Sequence, residues 1–319
     1  MNIVVLDGYA LNPGDNPWDP VAALGNLTVY DRTGQSDLRE RGREADIFLT
    51  NKTPFSEEIL RWFPRAKFIS VLATGYNVVD IDAARRRGIP VSNVPEYGTR
   101  AVSQFVFALL LELCHRVGAH DAAVHGGEWS RCPDFSFWKY PLVGLNGLTM
   151  GIVGFGRIGR QVGTIAHAFG MDVLAHDVRR SDPPAYQPFS WAGLEEVFGR
   201  SDVVSLHCPE TEESRRMVGE ALLGRMKRGA FLINTSRGGL IDEPALAAAL
   251  GAGRIAGAAV DVVSVEPIRS GNPLLTAPNC IITPHMAWAT LEARQELMRQ
   301  TAANIAAFLA GHPINVVNG

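Results

Sequence analysis

Three side chains with complementary charge and acid–base properties lie far apart in the chain, each just past a short apolar run. Arg237 stands in Asn234-Thr235-Ser236-Arg237-Gly238-Gly239, Glu266 in Asp261-Val262-Val263-Ser264-Val265-Glu266-Pro267, and His285 in Ile281-Ile282-Thr283-Pro284-His285. A guanidinium pairs with a carboxylate through parallel N–H bonds. An imidazole exchanges a proton near neutrality, and a carboxylate beside it stabilises the imidazolium. These are the parts that reduction of a carbonyl next to an acid group requires: a proton donor, a group to hold it, and a cation. Taken singly, each has a plain alternative. Arg237 could be a surface arginine in a glycine-rich loop, Glu266 a helix-start carboxylate, and His285 a satisfied core histidine.

A second signal lies upstream. Gly154-x-Gly156-x-x-Gly159 follows a β-like run and opens a helix-like one, with Arg157 and Ile158 between the last two glycines. The first glycine permits a tight turn, the second lets a pyrophosphate approach the backbone, and the third lets helix and strand pack closely. Phosphate charge then meets the N–H groups of a helix N-terminus. Asp177 follows at the end of the next strand, near the ~20-residue offset that a ribose-binding carboxylate takes. A carboxylate there repels a 2′-phosphate, which favours NAD over NADP; Arg179 and Arg180 lie just beyond and soften that preference.

Positioning such groups requires strands that end together. Apolar runs at 3–6, 27–30, 46–49, 68–72 and 89–91 alternate with helical stretches at 56–63, where Ser56 can cap, and 80–87, closed by Gly88. A second alternation places strands at 149–153, 172–175, 203–206, 231–234, 258–260 and 281–283, with helices at 157–169, 194–198, 220–226 and 243–250. Both patterns imply α/β architecture with two doubly wound parallel sheets. In such sheets ligands bind beyond the carboxyl ends of the strands, where Arg237, Glu266 and His285 fall. Between the two alternations, residues 100–120 read as one helix that is apolar nearly all round and therefore buried. An aromatic, loop-like stretch at 129–140 follows, either a packed irregular segment or an arm that meets a partner subunit. A long helix at 289–309 comes near the end.

The composition fits this reading. With 319 residues, 46% hydrophobic and 20% charged, the chain suits two globular domains. A net charge of -3 gives no basic surface for nucleic acid. Arg85, Arg86 and Arg87 read as the solvated end of a helix. Cys114, Cys132, Cys208 and Cys280 show neither CxxC pairs nor metal spacing, so a reducing cytoplasm and no metal are expected. The N-terminus reads as a strand, and no apolar stretch reaches the ~18 residues of a membrane span.

The chain resembles the D-isomer-specific 2-hydroxyacid dehydrogenases over nearly its whole length. The resemblance is carried by Val71-Leu72-Ala73-Thr74-Gly75-Tyr76-Asn77, Asn93-Val94-Pro95, the glycine fingerprint, Leu206-His207-Cys208-Pro209 and the three segments holding Arg237, Glu266 and His285. It implies a central Rossmann NAD domain at 100–285. It also implies a discontinuous, flavodoxin-like substrate domain from 1–99 and 286–319, so that the last helix returns to the first lobe. In that family the matching Arg, Glu and His are catalytic. Arg237 would pair with the substrate carboxylate, His285 would be the general acid in reduction, and Glu266 would stabilise its cationic form. Ala73, Thr74 and Gly75 would bind substrate through their N–H groups. Gly154, Gly156, Arg157, Ile158, Gly159 and Asp177 would hold the cofactor, with Cys208 and Pro209 on its adenosine side. Thr235 and Ser236 would border it, and Asp261 would accept from its carboxamide.

Ala73–Asn77, Phe137-Trp138-Lys139-Tyr140 and Pro284-His285-Met286-Ala287-Trp288 most resemble the glycerate dehydrogenase (hydroxypyruvate reductase) branch. That implies hydroxypyruvate as substrate, glyoxylate as a side substrate, and a homodimer with Trp138 near a partner's site. Phosphoglycerate dehydrogenase or another D-2-hydroxyacid dehydrogenase is the alternative enzyme. An NADH-sensing corepressor is the alternative of another class, because such proteins can retain the same three residues.

Overall fold

A computed structural model describes all 319 residues. Met1–Gly98 together with Trp288–Gly319 form one compact unit, and Thr99–Ala287 form a second.

The first unit holds β1 (Asn2–Val5), β2 (Asn26–Val29), β3 (Ile47–Thr50), β4 (Phe68–Val71) and β5 (Val91–Ser92). They form an all-parallel sheet in the order β2-β1-β3-β4-β5, the flavodoxin-like arrangement. Successive side chains leave a strand on opposite faces, so both faces must be apolar to be covered. Val4, Leu6, Phe48, Ile69 and Val71 join one core, while Ile3, Val5, Ile47, Leu49 and Phe68 join the other. Ser56 and Asp80 cap the helices Glu57–Arg61 and Ile81–Arg86 by accepting the Ile59 and Ala83 N–H groups. The final helix, Leu291–Leu309, starts where Thr290 caps it and contributes Leu297, Met298 and Ile305 to the second of these cores. Phe308 stacks on Phe68 with centroids 4.5 Å apart.

The second unit holds β6 (Thr149–Val153), β7 (Asp172–His176), β8 (Phe189–Trp191), β9 (Val203–Leu206), β10 (Phe231–Asn234), β11 (Gly257–Val260) and β12 (Cys280–Ile282). The parallel order is β12-β11-β10-β9-β6-β7-β8, so the chain reverses direction across the sheet between β6 and β9. That is the switch point at which doubly wound sheets take dinucleotides. The strand alternation predicts six strands here, and the sheet has seven. The extra one, β8, is a three-residue edge strand paired only with β7, too short to show a period of its own. The predicted single helix at 100–120 is also broken. Thr99–His115 is largely buried, Arg116 turns left-handed at φ +47°, and Val117–His125 continues with only Ala123 buried. Arg116 is held in that turn by Asn279 Oδ1 (2.6 Å) and by the Tyr140 ring beneath its guanidinium.

Candidate active site

The glycine turn is built from backbone contacts. Gly154 has φ +94°, and a Cβ there would lie 2.5 Å from the Cys208 nitrogen. At Gly159 a Cβ would come 2.1 Å from the Gly154 carbonyl oxygen, so strand and helix approach as closely as backbone allows. A Cβ on Gly156 would meet nothing within 4 Å. Gly156 is also the N-cap of helix Arg157–Ala168 and supplies no side-chain acceptor to its first N–H groups. Together these leave an approach to a helix N-terminus suited to an anion. Ile158 is half-buried and packs against the core beneath. Asp177, directly after β7, braces the turn: Oδ2 accepts from Phe155 N (2.6 Å) and Oδ1 from Arg179 N (2.9 Å). Arg180 is tied to the Ala192 carbonyl (3.0 Å), and Arg160 to the carbonyls of Ser181 and Asp182.

Beside the turn, Cys208 packs against Gly154, and burial pushes its thiol up to about 11. Its carbonyl accepts from Ser236 Oγ (2.7 Å), linking the ends of β9 and β10. The Thr235 hydroxyl is buried without a partner, and Pro209 is exposed. Asn234, fully buried, clamps the Arg237 turn. Its amide donates to the Arg237 carbonyl (2.9 Å) and accepts from Ser236 N (3.0 Å).

β10, β11 and β12 are neighbours in register, with Asn234 beside Val260 and Val260 beside Ile282, so their ends are level. Gly238 lies against the loop that follows β11: a Cβ on it would sit 1.9 Å from the Val263 carbonyl carbon. From that loop Glu266 reaches His285, with Oε2 2.7 Å from Nδ1. Glu266 Oε1 faces Val263 N at 3.4 Å. His285 has φ +54°, a backbone conformation that side chains other than glycine adopt only when held. The hold comes from Asp261, whose carbonyl accepts from His285 N (2.8 Å). Asp261 is 1% exposed, and its carboxylate accepts from Thr283 Oγ1 (2.6 Å), Met286 N (2.9 Å) and Ala287 N (2.8 Å). Much of its capacity therefore fastens the His285 turn.

In the first unit, Ala73, Thr74 and Gly75 follow β4. The Thr74 hydroxyl donates to the Val94 carbonyl (2.8 Å), and its own carbonyl accepts from Asn93 Nδ2 (2.7 Å). The N–H groups of Thr74 and Gly75 have no protein acceptor.

Residues 107–287 match the family described as D-isomer specific 2-hydroxyacid dehydrogenase, NAD binding domain. The chain is also 50% identical over 321 residues, covering 100% of both proteins, to a hydroxypyruvate reductase of Blautia hydrogenotrophica. The chain belongs to the D-isomer specific 2-hydroxyacid dehydrogenase family. As a member it is an oxidoreductase with an NAD-binding domain. A glycerate dehydrogenase of Methylorubrum extorquens is 42% identical over 88% of each chain. Among solved structures, a D-lactate dehydrogenase of Aquifex aeolicus complexed with NAD and lactic acid superposes with a TM-score of 0.87 at 29% identity, covering 100% of this chain and 99% of that one.

In this dehydrogenase Glu266 and His285 are in contact, and Arg237 stands on the neighbouring strand end. Sequence reasoning gave no role to three further side chains in this unit. Thr283 donates to Asp261, Glu243 binds the loop of Glu266, and Ser205 meets the His207 ring at 2.8 Å. Thr283 lay within the segment that carries His285, whereas Ser205 and Glu243 were read only as parts of strand 203–206 and helix 243–250. The partners of the other two are set by strand and helix packing, which local spacing does not reveal.

Proposed function

We propose that this dehydrogenase reduces hydroxypyruvate to D-glycerate with NADH, and glyoxylate to glycolate as a side reaction. The observation that carries the chemistry is the 2.7 Å contact between His285 Nδ1 and Glu266. With Nδ1 directed at the carboxylate, Nε2 is the position that hands a proton to the substrate oxygen, and Glu266 balances the imidazolium. Arg237 pairs with the substrate carboxylate and polarises the adjacent carbonyl. Thr74 and Gly75, with Ala73 before them, are assigned to carboxylate binding in the first unit. The substrate assignment is supported by the two relatives called hydroxypyruvate reductase and glycerate dehydrogenase.

The residues fit a dinucleotide. A glycine with an open Cβ direction begins an uncapped helix, and a carboxylate ends the next strand. A bound reduced nicotinamide would supply the hydride, and His285 would give its proton to the substrate oxygen. Gly154, Gly156, Arg157, Ile158 and Gly159 would cradle the pyrophosphate. Asp177 would take the ribose hydroxyls and disfavour a 2′-phosphate, so NADH is preferred to NADPH. Cys208 and Pro209 would flank the adenosine, with Thr235 and Ser236 bordering the cofactor. Asp261 Oδ2, which accepts one protein donor, would take the carboxamide.

A homodimer is supported by the face around helix Val117–His125, where Phe135 is 91% and Trp138 67% exposed alongside Val117, Trp129 and Leu142. Four unpaired cysteines support a reducing compartment, the cytoplasm. No single helix is long and apolar enough to cross a membrane.

Steady-state rates with NADH and with NADPH on hydroxypyruvate, glyoxylate, pyruvate and 3-phosphohydroxypyruvate test this reading. Highest kcat/KM on hydroxypyruvate with NADH is expected. Preference for the phosphorylated acid, or negligible turnover on hydroxypyruvate and glyoxylate, would overturn the substrate assignment.

A further inference from the structure

The geometry assigns to Glu243 the task of positioning Glu266 against His285, an inference that rests on the proton-transfer reading above. Glu243 is the first residue of helix Glu243–Gly251, only 8% exposed, and no cationic side chain pairs with it. A buried carboxylate is costly unless hydrogen-bonded, and here it has three donors. Oε1 accepts from Ser264 N (2.7 Å), while Oε2 accepts from Ser264 Oγ (2.8 Å) and Asn272 Nδ2 (3.0 Å). Its place at a helix N-terminus also favours the anion.

What those bonds restrain is the segment that carries Glu266. Residues 261–267 have no helix or strand, and Ser264 to Pro267 are exposed. Glu266 is held along its own loop by the 3.4 Å approach of Val263 N, which is longer than a good N–H···O bond. Gly238 supports Val263 from one side but does not reach Glu266. The two short bonds from Glu243 to Ser264 tether the loop two residues before Glu266. Asn272 extends the hold to the far end of the same excursion, where its own Oδ1 caps the turn at Leu274 (3.0 Å). Glu243 thus closes a clasp across residues 264–272 and fixes the direction from which Glu266 meets the imidazole.

Glu243→Gln conserves shape but turns an NH₂ group towards the donor of Asn272 or Ser264. The clasp loosens, and Glu266 loses its fixed approach. The test is a cycle of Glu243→Gln, Glu266→Gln and the double variant, with Ser264→Ala as a milder opening of the same clasp. For Glu243→Gln we expect kcat to fall about tenfold, within the roughly 10²-fold cost of a 1 Å misplacement, with NADH affinity unchanged. The double variant should be no slower than Glu266→Gln alone, and Ser264→Ala should show a smaller loss in the same sense. A readout independent of turnover is the NMR titration of the His285 ring, identified by its loss in His285→Ala. Its midpoint should fall in Glu243→Gln, in the direction that Glu266→Gln produces. Multiplicative losses in the double variant, an unmoved His285 midpoint, or a loss confined to NADH binding would each overturn the assignment. If the wild type reduces none of the 2-oxo acids, the proposed activity fails, while the titration still decides whether Glu243 positions Glu266.

Discussion

A methyl group at Gly238 would strike the loop that carries Glu266. The Cβ of Gly238→Ala would lie 1.9 Å from the Val263 carbonyl carbon, 2.1 Å from its oxygen and 2.5 Å from Ser264 N, all backbone atoms. Ordinary contact begins at 3.4 Å, so the turn carrying Arg237 and the loop carrying Glu266 must separate by about 1.5 Å. No rotamer change relieves a backbone clash, and overpacking of this kind costs about 1–3 kcal/mol. A displacement near 1 Å costs on the order of 10²-fold in rate when it misplaces reacting groups. Gly238→Ala should therefore lower kcat for 2-oxo acid reduction by about 10²-fold and Tm by roughly 2–10 °C. NADH binding, measured by fluorescence, should hold, because the glycine turn stands on β6. NADH oxidation followed by absorbance, beside thermal unfolding, checks this. A folded variant with kcat within about twofold of wild type would refute the argued coupling of the two strand ends.

Other outcomes follow from the same geometry. His285→Ala should lose roughly 10²–10⁴ in carbonyl reduction, the span of general acid catalysis, while NADH still binds in a fluorescence titration. Glu266→Gln should move the alkaline limb of the kcat profile for reduction to lower pH, because the imidazolium loses its facing anion; pH–rate profiles measure it. Asp177→Asn keeps an acceptor for Phe155 N but removes the charge. It should raise the NADPH to NADH ratio of kcat/KM at least about tenfold, read from paired kinetics. His207 keeps some solvent contact as a residue, yet its Nδ1 is enclosed without a partner, and burial pushes the imidazole down to about 3. The unfolded chain therefore takes up this proton first as pH falls through about 6.5, so folded stability declines from there downward. Between pH 6.5 and 5 this amounts to about 1–2 kcal/mol. Unfolding measured against pH should show a shallower decline in His207→Asn.

What the sequence made legible was what is periodic or local. Strand runs of four or five residues buried on both faces read directly, as did the cap Ser56, which accepts from an N–H three residues on. The fingerprint glycines were readable because each has a backbone reason, seen in the contacts of Gly154 and Gly159. The 2.7 Å Glu266–His285 contact joins residues 19 apart, on the loops after β11 and β12; strand position placed both at one sheet edge, and the family resemblance implied their pairing. β8 escaped because three residues carry no pattern. The helix break at Arg116 escaped because its cause is Asn279, 163 residues away. Glu243 read as an ordinary acidic helix start, since nothing in its neighbourhood signals that Ser264 and Asn272 will fold onto it.

The two halves of the proposed acid–base pair, Glu266 and His285, differ in what they are anchored to. The imidazole hangs from a turn bolted to the buried end of β11 through Asp261, so its location inherits the stiffness of the sheet. Its carboxylate partner rides on an exposed excursion that helix Glu243–Gly251 grips from outside. Substitutions accumulating on that excursion would retune proton affinity while the donor atom itself stayed put, so relatives working at different acidities can diverge there without rebuilding the fold.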